Sequence, residues 1–356
     1  MSERSLIPPE LLKKFPEAKQ KWLLKPEGLF FYHNFIREKG CHLLIIGNPG
    51  SGKTRKMAWF ASYLCRSETV VWFDSCKDNE AAMLFSDDFE GIEKHFIIPF
   101  GSSFDIRGIE PSEWTLSEAV SPSHYWDLII PGAINIFSID NFFYDKGKRS
   151  KYIAEIYKNL VFRAYHKQLD KKIGKLAIFN DEFQKAAPSQ SITNDPVRLE
   201  TAQAITENVL EVRAFGIRII GASQDYDNIW KGARRNLPAK VLCRGAVVRA
   251  DENPRLFRMR DIFNDYRPEH GLFVSSGGKY FPRTCPWTFR VKEMPGLEFI
   301  YEMNRFYDEP EKEESKEYAT VDWRGYSPFG KAITELTEEE ERSPSYAEFV
   351  QEDKVQ

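Results

Sequence analysis

The run Gly47-Asn48-Pro49-Gly50-Ser51-Gly52-Lys53-Thr54 stands directly behind the apolar stretch His42-Leu43-Leu44-Ile45-Ile46. It satisfies the pattern G-x-x-x-x-G-K-[ST] at every constrained position. A β-type run leads into it, and a helix-compatible run from Lys53 to Leu64 leads out. Glycines let the backbone turn tightly enough for successive N–H groups to point inward and form an anion-binding nest, with the positive end of the following helix beneath it. Lys53 adds a mobile ammonium for the β- and γ-phosphates of a nucleotide, and Thr54 a hydroxyl for Mg²⁺. The expected nucleotide contacts are therefore Gly47, Asn48, Pro49, Gly50, Ser51, Gly52, Lys53, Thr54 and Arg55.

Outward from this loop, strands and helices alternate. Thr69-Val70-Val71-Trp72-Phe73-Asp74 is β-branched and aromatic and ends in an acid, as a buried parallel strand does. The polar run Ser75-Cys76-Lys77-Asp78 follows it, where ligands of open α/β sheets gather. His95 to Phe100, Ala133 to Ile139, Lys175 to Glu182, Gly216 to Ser223 and Gly271 to Ser276 are further strands. The segment Ser102 to Trp126 is turn-rich and receives no assignment. Lys148 to Leu169 has helical periodicity, with Ile153, Ile156, Tyr157, Leu160, Val161 and Tyr165 on its apolar face. Thr201 to Arg213 reads as a helix, and Pro188 to Pro196 as a polar loop. The alternation predicts an α/β doubly wound, mainly parallel sheet flanked by helices.

A phosphate-binding loop alone does not separate kinases, GTPases, transporters and motors; its partner groups do. Asp181 closes an apolar strand, the position from which an aspartate holds Mg²⁺ through water. Glu182 beside it can act as general base toward the attacking water. Gln224, just past the next strand, is placed to touch the γ-phosphate and that water. Arg213 precedes the same strand, and a guanidinium suits the charge that builds on a transferring phosphoryl group, from its own chain or from a neighbour. As a lone arginine at a helix end it reads equally well as solvated.

In order along the chain, HLLIIGNPGSGKT, VVWFDSCK, LAIFNDEF, EVRAFGIRIIGASQ and NIWKGARRNLPAKVLCRG resemble the FtsK/HerA superfamily of hexameric DNA-pumping ATPases, from about His42 to Ser276. The resemblance implies a P-loop NTPase of RecA-like type, ATP and Mg²⁺ as cofactors, and double-stranded DNA bound without sequence reading. It also implies that Arg213 acts in trans on the adjacent subunit's ATP and that Gln224 is the sensor. AINIFSIDNFFYDKGKRSKYIAEIY resembles the insert of the HerA-like branch. The winged-helix domain and membrane anchor of chromosome-partitioning members are missing from the pattern. That favours a compact motor of the viral-packaging or plasmid-transfer kind, with a capsid or transfer-machinery protein as a further partner. Two other classes stay open at this point, a P-loop ATPase acting on protein in assembly or regulation and a small-molecule kinase.

Bulk composition fits a globular protein: 42% of the 356 residues are hydrophobic and 27 are Phe. No apolar run reaches the roughly 20 residues of a membrane helix, and the N-terminus lacks a signal-peptide core. The expectation is a cytoplasmic protein, or one of host cytoplasm or virion if viral. Five scattered cysteines without a C-x-x-C pair read as reduced thiols. Residues 1–40 read as a helical docking segment, 41–300 as the motor, and 301–356 as an acidic, largely flexible tail. From Asp308 onward fifteen acidic residues face six basic ones, a balance of −9 that leaves +6 for the rest of a chain of net charge −3. The basic side is concentrated between Lys231 and Arg260, with nine Lys and Arg against Asp251 and Glu252. Lys231, Arg234 and Arg235 there, with Lys148 and Arg149 near the insert, are the candidate phosphate-backbone contacts. An acidic tail of this kind competes with DNA for a basic face. Deleting Glu335 to Gln356 is thus expected to tighten DNA binding at low salt, measured by fluorescence anisotropy; an unchanged affinity removes the tail from DNA binding.

Overall fold

The computed structural model describes residues 7–74, 80–143, 145–169, 173–250, 253–280, 287–291 and 296–302. The run Ser75-Cys76-Lys77-Asp78 and the acidic tail lie outside them. Twelve strands are present among these residues: β1 (Leu43–Ile46), β2 (Thr69–Asp74), β3 (Lys94–Pro99), β4 (Ser103–Arg107), β5 (Trp114–Ala119), β6 (Ile134–Ser138), β7 (Leu176–Asn180), β8 (Arg218–Ser223), β9 (Ala239–Leu242), β10 (His270–Val274), β11 (Trp287–Thr288) and β12 (Glu298–Glu302). Ten of them form one sheet in the order β11-β10-β9-β1-β8-β7-β2-β6-β3-β5, parallel except where β10 and β11 turn back, while β12 and β4 pair separately. Every residue of β1, β2, β3, β6, β7 and β8 is buried, so both faces are covered. The fold is that of a P-loop NTPase, a mainly parallel sheet flanked by helices.

β1 occupies the middle of this sheet, paired in parallel with β8 on one side and β9 on the other. The phosphate-binding loop therefore leaves a wholly buried interior strand, and the helix Lys53–Leu64 follows as the sequence predicts. Strands were missed where burial is one-sided or short. The unassigned Ser102 to Trp126 holds β4, with alternating exposure, and β5, the sheet's edge. β9 hides inside the basic segment because only four residues form it. The helix expected over Lys148 to Leu169 runs Lys146–Tyr165, capped by the Asp145 side chain, which accepts from the Lys148 N–H. Its last residue, Tyr165, is 49% exposed and edges onto Phe215 rather than the core. The second helix starts earlier than expected, at Pro196 behind the Asp195 cap.

Residues 7–40 are part of the same core. Phe31 is fully buried with its ring centroid 5.2 Å from Trp59, 5.5 Å from Phe60 and 5.9 Å from Phe273. The segment is also held by charge. Arg218, first residue of β8 and 1% exposed, donates from Nε to both Glu68 oxygens at 2.9 and 3.0 Å, and from its two terminal nitrogens to the carbonyls of Phe35 and Ile36 at 2.7 Å each. Those carbonyls end a helical turn and have no intrahelical donors, so one guanidinium closes the turn and neutralises a buried carboxylate together. Removing either charge would strand the other, at a cost of about 3–5 kcal/mol.

Beside it, His42 is buried and bonded at both ring nitrogens: Nδ1 accepts from the Ile219 N–H at 3.0 Å, which leaves Nε2 to donate to the Val209 carbonyl at 2.8 Å. Burial pushes the imidazole pKa down to about 4, with Arg213 and Arg218 adding to the push against the Val209 bond. A depressed histidine is neutral when folded and takes its proton when unfolded. Its contribution is complete above pH 6.5 and disappears as pH falls from there toward 4. The loss amounts to about 3 kcal/mol by linkage. Denaturant midpoints across that window are expected to fall more steeply for the wild type than for His42→Asn; parallel curves would show that His42 does not titrate on unfolding.

Candidate nucleotide site

Because the strands are parallel, the C-terminal ends of β1, β8, β7 and β2 open onto one edge, and four sequence runs separated by up to 177 residues converge there. They line a cleft of about 550 Å³ bounded by Pro49, Gly50, Gly52, Lys53, Thr54, Arg55, Glu80, Glu182, Gln184, Ser223, Gln224 and Pro268. Gly50 and Gly52 take left-handed φ of 71° and 73°, and a Cβ on Gly52 would lie 2.3 Å from the Pro268 carbonyl. Gly47 is needed for space: a Cβ there would meet the Cys243 Cβ at 2.6 Å. The loop after β9 cradles this turn, with the Asn48 N–H donating to the Arg244 carbonyl at 3.0 Å. Lys53 Nζ donates to the Gly47 and Asn48 carbonyls at 2.9 and 3.1 Å.

Thr54 and Asp181 meet. The hydroxyl donates to Asp181 Oδ2 at 2.7 Å, and Asp181 is 3% exposed. One strand, β8, separates β1 from β7, which brings Gln224 at its end between the loop and the acids. Glu182 follows Asp181 with φ 53° and ψ 48°, a left-handed backbone that non-glycine residues adopt at a cost of about 1–3 kcal/mol. Two contacts impose it: the Asp181 Oδ1 accepts the Glu182 N–H at 2.9 Å, and Phe183 packs where a side chain on Gly221 would be, 2.9 Å from a Cβ placed there.

Glu80 was not among the candidates. It is 4% exposed, and the Thr54 hydroxyl also reaches its Oε1 at 3.3 Å. The signal was present two residues beyond the polar run after β2, at the ligand-gathering edge. The all-oxygen set of Thr54, Asp181 and Glu80 suits a hard divalent cation such as Mg²⁺. Gln184 Oε1, buried and without a hydrogen-bond partner among the described residues, lines the same cleft.

Lys56, also outside the candidates, is completely buried beneath the loop. Its ammonium donates to the carbonyls of Ser51 at 2.9 Å and Pro268 at 2.6 Å. Burial pushes its pKa down, and the bonds tie the phosphate-binding loop to the Pro268 turn.

Arg213 is not brought to the cleft. It lies before β8, half-exposed, with one nitrogen 3.7 Å from Glu38. The six residues of β8, about 20 Å of strand, stand between it and Gln224. The arginine that this chain does bring to its own loop, besides Arg55, is Arg244, whose Nη2 reaches the Gly50 carbonyl at 3.4 Å.

The basic candidates divide. Lys148 lines a shallow groove with Lys146, Lys151 and Asp195, and Lys231 a second one with Ser189, Trp230 and Arg249; both grooves borrow from the loop Pro188 to Pro196 and its flanks. Arg235 is exposed beside Lys240. Arg234 is instead buried, bonded to the Tyr226 carbonyl at 3.1 Å and Asp227 at 2.6 Å, and stacked over the Tyr226 ring. Arg149 has a side chain only 13% exposed and faces Asp140 at 3.7 Å. Neither points its charge outward, because each answers a carboxylate on the fold. Cys41, Cys65 and Cys243 are free and buried. No helix among the described residues is long and apolar enough to cross a membrane.

No family model matches the sequence, and no curated protein does. Solved structures similar to the chain include the genome packaging NTPase B204 from Sulfolobus turreted icosahedral virus 2 in complex with AMPPCP. It shares 11% identity over 71% of this chain and 98% of that one, with a TM-score of 0.40. The pCW3 conjugation coupling protein TcpA with ATPγS shares 14% identity over 82% and 73%, TM-score 0.39. EccC of Thermomonospora curvata (ATPases 2 and 3) with a signal sequence peptide shares 13% over 73% and 40%, TM-score 0.37. Such distant likenesses decide nothing about this cleft, whose own groups are distinguishable by mutation. Lys53→Ala is expected to weaken ATP binding, whereas Glu182→Gln keeps it and loses turnover by about 10² or more, as for a missing general base. Binding of a fluorescent ATP analogue beside steady-state hydrolysis separates the two; equal hydrolysis by Glu182→Gln and wild type removes Glu182 from the chemistry.

Proposed function

We propose that the chain is an ATPase that drives double-stranded DNA through a homo-oligomeric ring, a hexamer by its resemblance, in genome packaging or plasmid transfer. The observation that carries the hydrolytic part is the 2.7 Å bond between Thr54 and Asp181 at a phosphate-binding loop, with Glu182 next in the chain and Gln224 facing it. In this reading the loop N–H groups and Lys53 bind the triphosphate, and Glu182 takes a proton from the attacking water. Gln224 contacts that water and the γ-phosphate. Thr54, Asp181 and Glu80 would hold Mg²⁺, which supplies charge neutralisation on the phosphates when bound. DNA as the substrate is supported by the five motif runs that resemble DNA-pumping ATPases and by the exposed Lys148, Lys231 and Arg235. The reading does not extend to which DNA or which recruiting protein.

The ring is supported by Arg213. At the far edge of the sheet it cannot serve its own cleft, while a neighbouring copy in a ring can present it to the next one. A second reading, an ATPase that works on protein, draws on one observation: Arg149 and Arg234 turn two of the five expected phosphate contacts inward. Hydrolysis indifferent to duplex DNA would favour it.

An arginine finger contributes about 10³–10⁵ in rate, so its loss is not masked by its surroundings. Mixing two inactive variants, Lys53→Ala and Arg213→Ala, therefore reads the geometry directly. Interfaces that pair an intact loop with an intact arginine restore part of the ATPase activity if Arg213 acts in trans. Confirmed co-assembly without recovery would sink that assignment.

A further inference from the structure

Glu182 does not face the cleft alone. Its carboxylate lies 2.7 Å from Lys185 Nζ, one helical turn on, and the same ammonium lies 3.3 Å from Asp140 Oδ2 at the end of β6. Asp140 in turn faces Arg149 Nε at 3.7 Å, the third residue after the start of the helix Lys146–Tyr165. The side chains of Glu182, Lys185, Asp140 and Arg149 are 13, 30, 8 and 13% exposed. They form a row of alternating charges that starts at the candidate base and ends beside the groove of Lys146, Lys148 and Lys151.

We propose that Lys185 is a positioning residue that restrains Glu182, and that a phosphate backbone bound at Lys148–Arg149 releases it through this row. The proposal rests on the DNA-motor reading above for the identity of the phosphate source, but its inner half, Lys185 on Glu182, stands on the distances alone. Two anions share one ammonium here. A buried carboxylate left without a cation is expensive, so each holds Lys185 in proportion to what else neutralises it. Burial pulls the Lys185 ammonium down, yet Asp140 and Glu182 together outweigh it and its net shift is upward, as for a cation shared by two acids.

With Arg149 turned to Asp140, Lys185 sits nearer Glu182, at 2.7 Å against 3.3 Å. A phosphate in the groove draws the Arg149 guanidinium outward, its grip on Asp140 being the longest of the three contacts. Asp140 then has only Lys185 nearby in the row, and the ammonium moves to it. The Glu182 carboxylate loses the Lys185 ammonium and turns to the water it must orient. The backbone of Glu182 need not move, since Phe183 is wedged against Gly221.

The test is steady-state ATPase of the full chain with and without random-sequence duplex DNA, with nucleotide affinity measured alongside as a control for folding. Lys185→Met keeps length but no charge. It is expected to raise the DNA-free kcat by roughly tenfold, a fraction of the about 10²–10⁴ that a positioned base contributes, with KM unchanged and little further rise on adding DNA. Asp140→Asn removes the acid that competes with Glu182 for Lys185, so the DNA-free kcat falls and DNA no longer restores it. Lys185→Arg should rescue the coupling. Opposite signs for Lys185→Met and Asp140→Asn are the signature, because a purely structural role lowers both rates in both variants; that result, with nucleotide affinity intact, overturns the proposal. If Lys185→Met does not fold, Lys185→Gln, which also removes the charge, takes its place with the same expected rise. A wild type that DNA does not stimulate removes the DNA reading instead, and the DNA-free rates still judge the hold of Lys185 on Glu182.

Discussion

Parallel strands can be joined only by crossovers that carry the chain back to the edge from which it started, and this constraint orders everything else in the molecule. Each return places the next strand's C-terminal end beside the last, so loops far apart in sequence open onto one edge of the sheet. Thr54, Glu80, Asp181 and Gln224 are neighbours for that reason alone. The same rule sends the residues that precede the strands to the other edge. Glu38, Glu68, Arg213 and Arg218 gather there in two ion pairs, the length of β8 away from the cleft.

Charge inside the fold is used sparingly, and always with its partner in place. Arg218 answers Glu68 and two helix-end carbonyls, Lys56 answers carbonyls of the phosphate-binding loop and the Pro268 turn, and Lys185 is divided between two acids. The first two are static: every donor has a close acceptor and nothing competes. The third has more acceptors than charge, which is the physical difference between a group that fixes a structure and one that can change hands.

Much of this was legible because buried parallel strands spell themselves out in unbroken apolar runs. β1, β2, β7 and β8 fall where LLII, TVVWFD, LAIFN and RIIGAS predict, with the loop and acid pair attached at their ends. Elements that lacked such runs escaped. β5 is a largely exposed edge strand, β9 has four residues inside a basic segment, and the preamble's packing depends on aromatic partners as far off in sequence as Phe273. The candidate site divides in the same manner. Residues in local patterns were found, whereas Glu80, Lys56 and Lys185 owe their place to tertiary neighbours and carry no pattern of their own. Arg149 and Arg234 show the converse: charge density in a sequence says nothing about whether a nearby Asp has already claimed it.

The central place of β1 has a consequence for synthesis. Residues 43–46 leave the ribosome early, but their two neighbours in the sheet are residues 218–223 and 239–242. At roughly 5–20 residues per second, about 10–40 s pass before the last of these partners exists. Through that interval LLII, an unbroken apolar strand, lacks one or both of its ladders. The phosphate-binding loop waits with it, since the groups that brace its backbone belong to Arg244 and Pro268. A nucleotide cradle that sits early in the sequence is therefore braced only late in synthesis, once Arg244 and Pro268 have joined it.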